Sequence, residues 1–140
     1  MSKTTPYFLF DNNCAEAMKF YKDCLGGELT LVKVGDSPMK QQFPAEFHDR
    51  IVHSQLTSGD MELSASDWLR PDRPRKEGNT TCVYLSGASY KDLVEYFEKL
   101  SRDADPKTLD ALNSMPFGTY GALTDKFGVR WMFQGEPKKD

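Results

Sequence analysis

An order of elements that occurs twice constrains this chain more than anything else in it. Tyr7-Phe8-Leu9-Phe10 reads as an aromatic-rich strand, and Asp11-Asn12-Asn13 stops it. Cys14, Ala17, Met18, Tyr21 and Leu25 then recur at spacings of three and four, the stripe of an amphipathic helix. Asn13 with Glu16 has the pattern of a capping box, and Gly26-Gly27 offers the left-handed residue that ends a helix. Residues 29–34 form a second strand. Residues 35–49, with Pro38 and Pro44, form a long polar loop, a kind that is often functional in compact domains. Residues 51–57 and 61–66 make a hairpin around Ser58-Gly59-Asp60. A Pro- and charge-rich linker spans 69–79, and then the order restarts. Residues 80–85 are a strand, and Ser89 with Asp92 opens a helix striped by Tyr90, Leu93, Val94, Phe97 and Leu100. After the break at Asp105-Pro106, residues 107–112 form a short strand. Residues 120–124 and 129–133 close a second hairpin at Asp125-Lys126-Phe127-Gly128.

The order is β-α-β-β-β, twice. One βαβββ unit covers a single face of its sheet and leaves the other bare. Two such units can arrange their mixed sheets around a concave cleft, a natural place for a ligand. The expected fold is therefore α+β with two tandem βαβββ modules. A single domain over 1–140 holds the first module at 6–67, the linker at 69–79 and the second module at 80–134. A chain of 140 residues is long enough to bury a core without staples.

Composition removes several function classes. Eighteen basic against 21 acidic side chains leave a net charge of −3, without the basic footprint that nucleic acid requires. There is no apolar run of membrane-spanning length and no secretory leader pattern. Three cysteines, an odd number with no C-x-x-C pair, suggest neither a disulfide framework nor a zinc ribbon. Cys14 and Cys24 fall on one helix about 15 Å apart, too far for a disulfide. A cytoplasmic protein with reduced thiols follows.

Strand parity sorts the hairpin at 51–66 into two faces, because side chains alternate. Val52, Leu56, Leu63 and Ala65 are expected under the helix. His53, Gln55, Glu62, Ser64 and Ser66 are expected on the opposite face, with Gln55 across from Glu62 and His53 across from Ser64. His53 and Glu62 are the candidate catalytic residues: an imidazole titrating near neutrality beside a carboxylate suits proton transfer or metal ligation. Phe8, Phe10 and Trp131, with Phe133, are expected to serve both core and pocket wall. Trp68, Met115, Phe117 and Tyr120, in loops or at strand starts, are further pocket candidates. His48 belongs to the polar loop and is expected to be solvated. A phosphate-binding glycine loop, a G-x-S-x-G elbow and an H-E-x-x-H motif are all absent.

Three stretches resemble the PhnB-like branch of the vicinal oxygen chelate superfamily, which includes glyoxalase I, bleomycin-resistance proteins, fosfomycin-resistance enzymes and extradiol dioxygenases. They are Asn13-Cys14-x-Glu16-Ala17-x-x-Phe20-Tyr21 with Gly26-Gly27-Glu28; Ile51-Val52-His53-x-x-Leu56 with Gly59-Asp60 and Ser66-Asp67; and Tyr120-Gly121-x-Leu123-x-Asp125-Lys126-Phe127-Gly128-Val129-x-Trp131. The double βαβββ order is that superfamily's layout. The resemblance implies a homodimer and a small organic ligand. The superfamily's metal ligands, His, Gln or Glu, come from the first and fourth strands of each module. Of those positions only Glu62 carries a ligand here, and His53 lies on the third strand. One position of four does not make a metal site, so no cofactor is expected.

The leading functional expectation is a small-molecule-binding protein that sequesters a partly aromatic ligand in the cleft. A divalent-metal-dependent lyase or isomerase of the glyoxalase type, using His53 and Glu62, is the alternative. A structural or interaction homodimer is the third reading.

Overall fold

A computed structural model describes residues 2–138. The chain divides into two compact units at the Lys76–Glu77 peptide. In the first unit the strands are β1 (Tyr7–Phe10), β2 (Glu28–Lys33), β3 (Ile51–Ser58) and β4 (Met61–Asp67), with helix α1 (Cys14–Leu25) between β1 and β2. They form one sheet in the order β1-β4-β3-β2. β1 runs parallel to β4, and the other neighbours are antiparallel. The second unit repeats the plan with β5 (Val83–Ala88), α2 (Tyr90–Leu100), β6 (Asp110–Met115), β7 (Gly118–Thr124) and β8 (Arg130–Gly135), in the order β5-β8-β7-β6. The twofold βαβββ order and the α+β class read from the sequence are the observed architecture. No helix among the described residues is long and apolar enough to cross a membrane.

Each helix covers one face of its own sheet. The apolar stripe of α1 buries Cys14, Ala17, Met18, Phe20, Tyr21, Cys24 and Leu25 against Phe10, Leu56, Leu63 and Ala65, each at most 3% exposed. In the second unit Leu93, Phe97 and Leu100 of α2 are buried with Leu85, Leu123, Trp131 and Phe133. Phe97 meets Phe133 edge-on at 5.2 Å between ring centroids. Side chains buried this completely stabilise by about 1.5–3 kcal/mol each. Gly121 and Gly135 sit where an added Cβ would strike Phe97 and Leu93 of the helix.

The helix starts differ from the expectation. Ser89 caps α2 as predicted, its hydroxyl accepting the Asp92 N–H at 3.2 Å. Asn13 does not cap α1. Its φ, ψ of −127°, 23° lie outside the extended region that aims an N-cap side chain at the first turn, and no capping hydrogen bond forms. The buried carboxylate of Asp67, at the end of β4, takes over. Its Oδ1 accepts the Cys14 N–H at 2.9 Å and its Oδ2 accepts the Ile51 N–H at 2.7 Å. At the other end of α1, Gly27 has φ +90°, and a Cβ there would overlap the Thr57 carbonyl oxygen. Only glycine allows the chain to turn so close to β3.

Three further details correct the reading. The hairpin turn is Gly59-Asp60, with Ser58 paired to Met61, so Thr57 faces Glu62 and Gln55 faces Ser64. The expected pairs are displaced by two residues, which keeps every side chain on its assigned face. Residues 107–112 are not one strand. Pro106 and the Asp105 side chain, accepting the Lys107 N–H, fix a 3-10 turn over Pro106–Thr108, and β6 begins at Asp110. The 35–49 stretch holds three 3-10 turns, Val34–Asp36, Lys40–Gln42 and Ala45–Phe47. His48 is half-buried there rather than solvated. Its Nε2 lies 3.0 Å from the Lys40 carbonyl and 3.1 Å from that of Phe43, clamping the loop.

Candidate functional site

The helix-free face of the first sheet carries the densest set of polar and exposed apolar groups in that unit. Parity puts Tyr7 and Leu9 of β1, Thr30 and Val32 of β2, His53, Gln55 and Thr57 of β3, and Glu62, Ser64 and Ser66 of β4 on it. The expected polar group of His53, Gln55, Glu62 and Ser64 therefore shares one surface. Ser64 and Ser66 are small and buried, whereas His53 is exposed and Gln55 and Glu62 are half-buried. Tyr7 and Leu9 are large apolar residues left 48% and 44% exposed. The Tyr7 ring stacks on the His53 imidazole at 6.2 Å between centroids and 27° between planes.

The first-strand aromatics expected in the pocket belong elsewhere. Phe8 and Phe10 lie on the helix side, where both rings pack on Tyr21, at 5.9 and 6.5 Å. Trp131 in the second unit is likewise core, 1% exposed, and donates its indole N–H to the buried Asp125 carboxylate at 2.9 Å. The physical reason is the same in both: the large apolar member of each alternating pair fills the space under the helix, so its neighbour faces outward. Parity in Tyr7-Phe8-Leu9-Phe10 shows two opposite pairs, and Tyr7 with Leu9 is the outward one.

The remaining candidates are dispersed. Trp68 closes the turn after β4, its indole N–H shared by the carbonyls of Arg70 at 3.0 Å and Arg73 at 2.9 Å. In the second unit Met115 ends β6 and Phe117 lies in the β6–β7 turn, 39% and 60% exposed. Tyr120 is half-buried on the helix-free face, opposite Gln134 of β8.

Glu62 is already engaged. The Lys3 ammonium lies 2.5 Å from Oε2, and the Gln55 amide donates to Oε1 at 3.0 Å. The Lys3 hydrogen bond, opposed by desolvation and helped by the Lys3 charge and by Gln55, holds the Glu62 carboxyl below the ordinary glutamate range. A carboxylate kept ionised in this way is a weak base near neutrality. Glu62 faces Thr57, four residues along β3 from His53. At about 3.4 Å per residue the two are more than 10 Å apart along the strand, so they do not form a dyad. Among the described residues no three His, Cys, Asp or Glu side chains gather closely enough to hold a metal ion. His53 and Glu62 on this face are two separated donors, short of the three or four that a divalent ion takes.

The buried thiol on the other side of the sheet has no chemistry to offer. Burial pushes the Cys14 thiol up to about 12, with the Ser54 hydroxyl, 3.6 Å away, opposing and the Asp67 charge assisting. It stays protonated and unreactive.

Known proteins of the same plan bracket this chain. A solved structure, protein PA1353 from Pseudomonas aeruginosa, is 30% identical, with 99% of this chain and 100% of that one covered and a TM-score of 0.85. Protein YjdN of Escherichia coli K12 is 27% identical over 91% of each chain. A PhnB protein from Bacillus cereus shares the fold at 20% identity, covering 96% of this chain and 99% of that one, with a TM-score of 0.71. Residues 4–133 match the family described as the Glyoxalase/Bleomycin resistance protein/Dioxygenase superfamily, and the chain belongs to it.

Proposed function

We propose that this glyoxalase-superfamily protein binds a small, partly aromatic molecule on the helix-free face of its first sheet, and sequesters it rather than transforming it. The observation that carries the reading is the exposed Tyr7–His53 stack with Leu9 beside it. Leaving large apolar groups in water is unfavourable, and a flat apolar ligand covering them would recover that free energy. Gln55 and Thr57 on the same face offer orienting hydrogen bonds. Sequestration is favoured because Glu62 is held ionised in its ion pair with Lys3 and stands apart from His53.

Nuclear magnetic resonance titration with a library of phenols and small aromatic acids tests this. Saturable shifts at the amides of Tyr7, Leu9, His53 and Gln55, abolished in Tyr7→Ala, are expected. A library that leaves those amides unmoved removes the reading. In the same reading the protein is a cytoplasmic homodimer. Three free thiols suit a reducing compartment. Sedimentation at micromolar concentration should return twice the 15.9 kDa chain mass, and a 15.9 kDa species would rule the dimer out.

A further inference from the structure

The second unit holds a pocket of different chemistry. It lies at the end of the sheet where β7 leaves and β8 enters, beside the 3-10 turn that leads into β6. Its volume is about 400 Å³, and Asn79, Lys107, Thr108, Asp110, Thr124 and Arg130 line it. No lining residue is apolar. Pockets for drug-like ligands are mostly hydrophobic with a few polar groups, so this one suits a small, strongly hydrated ligand.

The charges identify the ligand class. Lys107 and Arg130 stand against a single carboxylate, Asp110. The Lys107 ammonium makes no ion pair or hydrogen bond among the described residues. Arg130 is already held in place: Nη1 donates to the Thr108 carbonyl at 2.7 Å, and its side chain is only 24% exposed. Its contact with Asp110 is loose. Nη2 lies 3.6 Å from Oδ2 of a side chain that is 67% exposed, well beyond the 2.7–2.9 Å of a charge-assisted hydrogen bond. The guanidinium is thus positioned in advance while part of its donor capacity remains unspent, which lowers the ordering cost of binding. The Asn79 amide and the Thr124 hydroxyl add neutral hydrogen-bonding groups, and Asp110 adds an acceptor.

We propose that this pocket binds a small hydroxylated oxyanion. Lys107 and Arg130 hold the anionic group, Asn79 and Thr124 donate to it, and Asp110 accepts from a ligand hydroxyl. Carboxylate and phosphoryl groups share this recognition, so the test includes both.

The full chain is titrated with glycolate and, separately, with glycerol 3-phosphate, at ionic strength held constant with sodium chloride, while backbone amide shifts are followed. Saturable shifts confined to residues 79, 107–110, 124 and 130 are expected, and the tighter of the two ligands identifies the anion. Lys107→Ala, which removes no described contact, should weaken binding about tenfold. Arg130→Lys, which keeps the charge but loses the fork, should weaken it too. Shifts that are linear in ligand or spread over surface lysines elsewhere would overturn the proposal, as would undiminished affinity in Lys107→Ala. The readout lies wholly in the second unit, so the outcome is separable from that of the first-sheet titration.

Discussion

The two units solve one problem differently: how to start a helix after the first strand. In the second unit the solution is local. Ser89 accepts from Asp92 three residues on, within the helix it caps. In the first unit it is long-range. Asp67, 53 residues from Cys14, receives the first helical N–H and at the same time the first N–H of β3. The second unit has a buried aspartate as well, but Asp125 spends its carboxylate close by, on the Phe127 and Val129 N–H groups and the Trp131 indole. One aspartate thus ties a helix to two strands, and the other ties a hairpin to itself. The start of α1 depends on the folded sheet, whereas the start of α2 is written into its own sequence.

Asp67→Ala is the strongest test of that contrast. It strands two buried N–H groups and should cost about 3 kcal/mol or more in chemical denaturation, with hydrogen-exchange protection lost across α1. Asp125→Ala should lose protection across the β7–β8 hairpin while α2 keeps it. Loss spread evenly over both units would dissolve the distinction. A smaller effect separates the caps. Ser89→Ala should cost about 1 kcal/mol, and Asn13→Ala no more than a few tenths, by the usual worth of an N-cap bond. Equal costs would mean that Asn13 caps in solution. The smallest effect concerns Cys14. Its folded pKa, raised from 9.0 to about 12, means the fold favours the protonated thiol. The associated stability is whole below the unfolded value and falls as pH rises from 9 towards 12. Between pH 8 and 9.5 the loss should stay below about 1 kcal/mol, and it should vanish in Cys14→Ala. A slope unchanged in that variant would assign it to another group.

The contrast also explains what the sequence could disclose. Whatever is encoded within a few residues was legible: the stripe of α2, the Ser89 cap, the Asp125–Gly128 turn. So was the division of β3 and β4 into an apolar and a polar face, because alternation survives a two-residue error in register. What failed depended on distant partners. The Asn13-x-x-Glu16 pattern is a good local signal, yet Asp67 supplies the cap from the far side of the sheet. Phe8 and Phe10 read as pocket wall because nothing in Tyr7-Phe8-Leu9-Phe10 says which pair the helix covers. The Lys3–Glu62 contact and the pocket around Lys107 and Arg130 left no mark, since residues scattered through a module carry no spacing.

The parallel pairing of β1 with β4 sets the order in which the first unit can assemble. Hairpin β3–β4 closes through a two-residue turn, a microsecond event for an isolated hairpin. β1 must wait for the most distant strand of its own sheet, Tyr7 for Ser64 and Phe10 for Asp67. Closures of such long sequence separation are slow, because loop entropy is lost before any contact compensates it. A chain emerging from the ribosome holds Phe8 and Phe10 without their sheet partners until β4 has been made. The Asp67 carboxylate that secures α1 arrives with the last residue of that strand, so sheet closure and helix anchoring become a single step, taken about halfway through synthesis of the 140 residues.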